Sequence, residues 1–223
     1  ALAGLARLQN SEYKLESLSR SSATPMSSGL ALERLRMARK DMENDEWGEA
    51  AALLDTVAEQ ARRDGDTARE TLALLERARC AKMMGDDAQA FQRYRRILTN
   101  PEAPSSIAGL AQLEAALLAV RNDQPEAFDT TLAERTLPST NPVSGALRIL
   151  QGELSSPDQI TDLIRELPAY LRNDVLLTAS VTAFARGELD VAREFHQQCL
   201  EASNPEGEWP APWARRLAPE LAP

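Results

Sequence analysis

Four pairs of small residues, each pair separated by twelve positions, most constrain how this chain can fold. The first members are Ala38, Ala78, Ala115 and Ser180, and the second members are Ala50, Ala90, Ala127 and Ala192. A turn-forming residue stands five positions before each second member, at Asp45, Gly85, Asn122 and Gly187. Four positions after each second member come Leu54, Tyr94, Thr131 and His196. This spacing predicts a series of helical hairpins.

In each predicted hairpin, a small residue on both helices lets the two backbones approach closely. A larger residue one turn further along then fills the groove between the helices. The first members recur after 40, 37 and 65 positions, from Ala38 to Ala78, Ala115 and Ser180. Because the last interval is nearly two units, we expect one degenerate hairpin within residues 143–168.

The apolar periodicity predicts helices and gives no convincing strand alternation. Aromatic residues make up only 4% of the chain, and Ala and Leu supply most of the apolar content, which favours helices. Helices are expected near 30–43, 47–63, 67–84, 87–99, 105–121, 124–135, 143–153, 157–170, 173–186 and 189–202. Residues 20–29 are expected to form a flexible linker after a separate helix over 2–19.

Two units resemble the tetratricopeptide repeat. They run from Phe184 to Pro205 and from Lys82 to Pro101, and both combine a Gly-Asp/Glu turn, an Ala five positions after the Gly and a closing Asn-Pro. The resemblance implies an all-α, right-handed α-solenoid of about five hairpins over 30–205. An N-terminal helix and linker over 1–29 and a C-terminal cap over 206–223, with Trp209 and Trp213, would flank it.

In this family, the first helices of the hairpins line a concave inner groove that binds peptides. By register, the resemblance assigns this concave face to Leu35, Arg36, Arg39, Met42, Leu75, Arg79, Lys82 and Met83. Cations among Leu and Met would suit an acidic peptide or a C-terminal carboxylate. The alternative is that these cations pair with Asp41, Glu43 and Glu76 at helical spacing.

Composition argues against several other functions. The net charge of −9 argues against a general nucleic-acid binder, which needs cations for the phosphates. No apolar run approaches the roughly 18 residues of a membrane span. Cys80 and Cys199 are interpreted as buried free thiols, which favours a reducing compartment such as the cytoplasm. A periplasmic or membrane-anchored location stays open, because an upstream segment could have been removed.

Catalytic and metal-binding patterns are missing from the sequence. His196 is the single histidine, so most Ser-His and Cys-His mechanisms and zinc sites are not expected. No dinucleotide, nucleotide-phosphate or nucleophile-elbow motif occurs. We therefore expect no enzyme activity, no cofactor and no metal.

The sequence favours a non-catalytic scaffold or adaptor that binds a partner protein or peptide in the concave groove. Two alternatives stay open. The chain could be a self-assembling or membrane-complex-anchored module, in which the basic first half meets the acidic second half of another copy. It could also be an accessory domain of a larger enzyme or regulator.

Overall fold

The computed structural model describes residues 25–122, 124–134, 136–137, 143–151, 153, 160, 167 and 169–202. The helices in these ranges are α1 (Pro25–Glu43), α2 (Trp47–Arg63), α3 (Thr67–Met83), α4 (Asp87–Leu98), α5 (Ser105–Arg121), α6 (Pro125–Ala133), α7 (Ser144–Gln151), α8 (Ala169–Ala185) and α9 (Leu189–Ala202). Helices α1 to α5 each pack on the next, α8 packs on α9, and α7 contacts α5 and α8. The all-α class is confirmed for the described part of the chain, which contains no strand.

Most predicted helices have the expected bounds, and two predicted boundaries were wrong. Helix α1 begins at Pro25, five residues before its predicted start, because proline suits the first position of a helix. The predicted flexible linker over 20–29 was therefore wrong for residues 25–29, which are helical. Helix α8 runs unbroken from Ala169, so the predicted boundary between 170 and 173 does not exist. The prediction carried a helix through Pro168, where a proline removes a backbone donor. The predicted segments 2–19 and 206–223 lie outside the described residues. Of the predicted helix over 157–170, the structure describes only residues 160, 167, 169 and 170.

Among the residues that the structure describes, one tight connection with a left-handed residue recurs four times. A residue with a left-handed backbone follows α1, α2, α3 and α8, at Asp45, Gly65, Gly85 and Gly187, with φ between 62° and 79°. The next N–H then donates to the carbonyl five residues back, as from Asp86 to Ala81 at 2.9 Å. This bond closes the preceding helix and reverses the chain within three residues. The turns at Asp45, Gly85 and Gly187 lie within predicted hairpins, whereas the turn at Gly65 joins one predicted hairpin to the next. The same geometry therefore occurs both within hairpins and between them.

The next helix begins with a side-chain cap at two of these turns. Asp66 accepts a hydrogen bond from the backbone N–H of Arg69 at 2.9 Å, and Asp86 accepts one from Gln89 at 3.0 Å. Capping aspartates satisfy donors that have no partner within a helix, which fixes where α3 and α4 start.

The paired small residues lie where the helices cross. Ala38 and Ala50 are fully buried in one core cluster, and Ala78 and Ala90 are fully buried in a second. In the last hairpin the Oγ of Ser180 donates a hydrogen bond to the carbonyl oxygen of Ala192 at 2.7 Å. In these three hairpins the twelve-residue spacing therefore marks positions that are buried together, whereas Ala115 and Ala127 pack with different core clusters.

Candidate inner-face binding site

The predicted concave-face residues do not share one environment. Leu35 and Leu75 are buried, at 2% and 1% exposure, and lie within the core clusters. The assignment of these two residues to a binding surface is therefore wrong, because their side chains are unavailable to a partner. Their helical register turns them toward α2 and α4 instead.

Arg39 is engaged by a carboxylate on another helix. Its Nε and Nη2 donate to Oε1 of Glu76 at 2.9 and 2.7 Å, linking α1 to α3. The Glu76 side chain is almost completely buried. Charge-assisted bonds of this kind are stronger than those between neutral groups. Arg39 thus neutralises a buried charge and holds two predicted hairpins together.

Arg79 repeats this arrangement one unit later. Its Nε and Nη2 donate to Oε1 of Glu114 at 2.9 and 2.8 Å, linking α3 to α5. The Tyr94 hydroxyl donates to Oε2 of Glu114 at 2.9 Å, and the Lys82 Nζ lies 3.9 Å from the same oxygen. The Glu114 side chain is fully buried. Three helices therefore meet on one carboxylate.

The ionisation of Glu114 follows from these contacts. Burial alone would raise its pKa, because a carboxylate loses hydration in the protein interior. The charges of Arg79 and Lys82 and the hydrogen bonds from Arg79 and Tyr94 outweigh burial and leave the pKa lowered. Glu114 is thus held as a carboxylate.

A second acidic group lies near this cluster. Asp174 on α8 is partly buried, and burial raises its pKa. The Glu114 carboxylate adds to this rise, while the charges of Lys82 and Arg121 oppose it. Helices α3, α5 and α8 therefore bring three cations, Arg79, Lys82 and Arg121, and two carboxylates into one electrostatic neighbourhood.

The predicted alternative of cation pairing is realised in another geometry. Arg39 does pair with Glu76, but across 37 positions and not at helical spacing. Glu114 was missed altogether. Its signal in the sequence is a lone charge in the otherwise uncharged run from Ser105 to Val120, where a carboxylate needs a cation from another helix.

The remaining predicted residues are accessible to different degrees. Arg36 and Met83 are exposed, and Met42 and Lys82 are partly buried. Met37 and Met84, which follow Arg36 and Met83 directly in the sequence, are 50% and 47% exposed. Among the described residues, the side chains of Arg36 and Lys40 form no hydrogen bond or ion pair. We call Arg36, Met42, Lys82 and Met83 the inner-face surface.

The described residues offer little reactive chemistry. They contain no group of three or more His, Cys, Asp or Glu placed to hold a metal. Both cysteines are free and buried, and burial raises the pKa of Cys80 to about 11 and that of Cys199 to about 12. Thiols with such pKa values stay protonated near neutral pH and are poor nucleophiles.

None of the helices in the described ranges combines the length and apolar character that crossing a membrane requires. No family model matches the chain, and no curated protein or solved structure matches it either.

Proposed function

We propose that this chain is a non-catalytic scaffold with a tetratricopeptide-like, right-handed solenoid arrangement, and that its inner-face surface binds an acidic partner peptide. The arrangement of about five hairpins is part of the proposal. The recurring connection at Asp45, Gly65, Gly85 and Gly187 supports it, because the same turn repeated between successive helices favours regular stacking.

The observation that carries the binding proposal is the contrast between cations. Arg39 and Arg79 are committed to buried carboxylates, whereas the exposed Arg36 has no such partner among the described residues. Met37, which follows Arg36 directly in the sequence and is 50% exposed, provides an adaptable apolar contact beside this cation. An acidic peptide with apolar side chains would satisfy both features.

The test is a selection of random peptides on the immobilised full chain, followed by affinity measurement for one enriched peptide. We expect acidic peptides to be enriched and Arg36→Glu to weaken their binding at least tenfold. Arg95→Glu is the matched control, because Arg95 is exposed on α4, the second helix of its hairpin. Absence of enriched peptides, or equal affinity for the Arg36 variant and the parent chain, would overturn the proposal.

A further inference from the structure

Helix α1 has an exposed face that corresponds to a buried face of α3. In the register that aligns Ala38 with Ala78, Glu33, Arg36, Met37 and Lys40 correspond to Ala73, Glu76, Arg77 and Cys80. Ala73 and Cys80 pack in the core with α1 and α2, and Glu76 accepts from Arg39. The four α1 residues are all exposed. We call them the α1 end face.

We propose that residues 1–24 of this chain dock on the α1 end face, with Leu15 against Met37 and with Glu12 and Glu16 beside Lys40 and Arg36. The proposal goes beyond peptide binding, and because both proposals use Arg36, the docked segment would compete with an acidic peptide for that side chain. Three features of the chain support it.

Charge is the first feature. Glu12 and Glu16 are four positions apart, as are Arg36 and Lys40. When two antiparallel helices carry such pairs on facing sides, each carboxylate lies beside one cation, here Glu12 beside Lys40 and Glu16 beside Arg36. On the α1 end face these cations have no carboxylate partner among the described residues.

Apolar pattern is the second feature. Leu5, Leu8, Leu15 and Leu18 recur at spacings that place them on one side of a helix, and Glu12 falls on the same side. Met37 is half exposed and would be covered by such a stripe. Covering it removes apolar surface from water, which favours docking.

Chain length is the third feature. The connection from Leu18 to Pro25 has seven steps, and an extended chain spans roughly 23 Å over that number. Placing Leu18 beside residue 34 requires about 14 Å along α1 and about 10 Å between helix axes. The connection is therefore long enough to reverse the chain and reach the α1 end face.

The experiment measures methionine-methyl relaxation by a neutral gadolinium chelate in the full chain. Met83 is the internal control, because its exposure of 56% nearly equals the 50% of Met37 when nothing covers either residue. Docking predicts a several-fold smaller relaxation enhancement at Met37 than at Met83. Equal enhancement at both methyl groups would overturn the proposal.

Charge exchange makes the test specific. Glu12→Lys with Glu16→Lys should expose Met37, and adding Arg36→Glu with Lys40→Glu should restore its protection. Failure of the exchange to restore protection would overturn the assigned contacts. Protection that disappears on dilution would mean that a second copy covers Met37, and would overturn docking within one chain.

Discussion

Arg79 and Glu114 are 35 positions apart in sequence, yet two hydrogen bonds of 2.9 and 2.8 Å join them in the interior of the protein. Arg39 and Glu76 form the same kind of pair one unit earlier. The first pair links α3 to α5 and the second links α1 to α3, so each ties one predicted hairpin to the next. Because Arg39 and Arg79 are bonded to buried carboxylates, other side chains would have to bind a partner peptide.

Removal of Arg79 should be costly, because it leaves the Glu114 charge buried with less compensation. We expect Arg79→Ala to lower the free energy of unfolding by about 3–5 kcal/mol. The control is Arg62→Ala, which breaks an exposed pair with Glu59 and should lower the free energy of unfolding far less. Urea denaturation at neutral pH measures both, and equal losses would contradict a special role for the buried pair.

Neutralising Asp174 should stabilise the protein at neutral pH. Burial raises the pKa of Asp174 in the folded state, so ionisation there disfavours folding. Stability therefore rises as pH falls through the folded pKa. Asp174→Asn should raise the free energy of unfolding at pH 7, and the gain should vanish below the pKa of the unfolded state.

Urea denaturation across this pH range measures the Asp174 effect. Asp190→Asn is the control, since the Asp190 side chain is 99% exposed, and it should change stability little. A gain from Asp174→Asn that stays constant with pH would show that the effect is not electrostatic.

Enlarging a small residue at a helix crossing should force the helices apart. We expect Ala78→Leu to cost about 1–3 kcal/mol, because Ala78 is fully buried in a packed core. Ala52→Leu adds the same atoms at an exposed position of α2 and should be nearly neutral. Thermal unfolding monitored by circular dichroism compares them, and similar melting temperatures for the two variants would argue against close packing at Ala78.

The left-handed turn residues Gly85 and Asp45 should differ in how much a substitution changes stability. Gly85 has φ of 79° and open space around it, so Gly85→Ala should cost about 1–2 kcal/mol through the backbone alone. Asp45 adopts φ of 62° despite its side chain. Asp45→Gly relieves that strain while adding backbone entropy to the unfolded chain, and should change stability by less than about 1 kcal/mol. Chemical denaturation of both variants tests this difference, and a larger loss for Asp45→Gly would contradict it.

The sequence predicted the helices and their crossings well, because both depend on local pattern. Turn residues such as Gly85 and small pairs such as Ala38 with Ala50 act over short distances along the chain. The candidate site was harder to predict, since helical register alone does not say which cation meets a carboxylate from another unit. Arg39 and Arg79 therefore could not be separated from Arg36 by spacing.

Helices α3 and α5 each contribute side chains to two neighbouring cores. Ala73 of α3 packs in the core with α1 and α2, whereas Leu75 packs in the core that α3 shares with α4 and α5. Ala111 of α5 belongs to this same core, whereas Leu113 packs in the core with α7, α8 and α9. Unfolding of a terminal hairpin would expose one side of the neighbouring shared helix to water and so destabilise the next core. Unfolding should accordingly begin at an end of the chain and proceed inward. Because most contacts join helices that are close in sequence, refolding of the lost hairpin should be rapid.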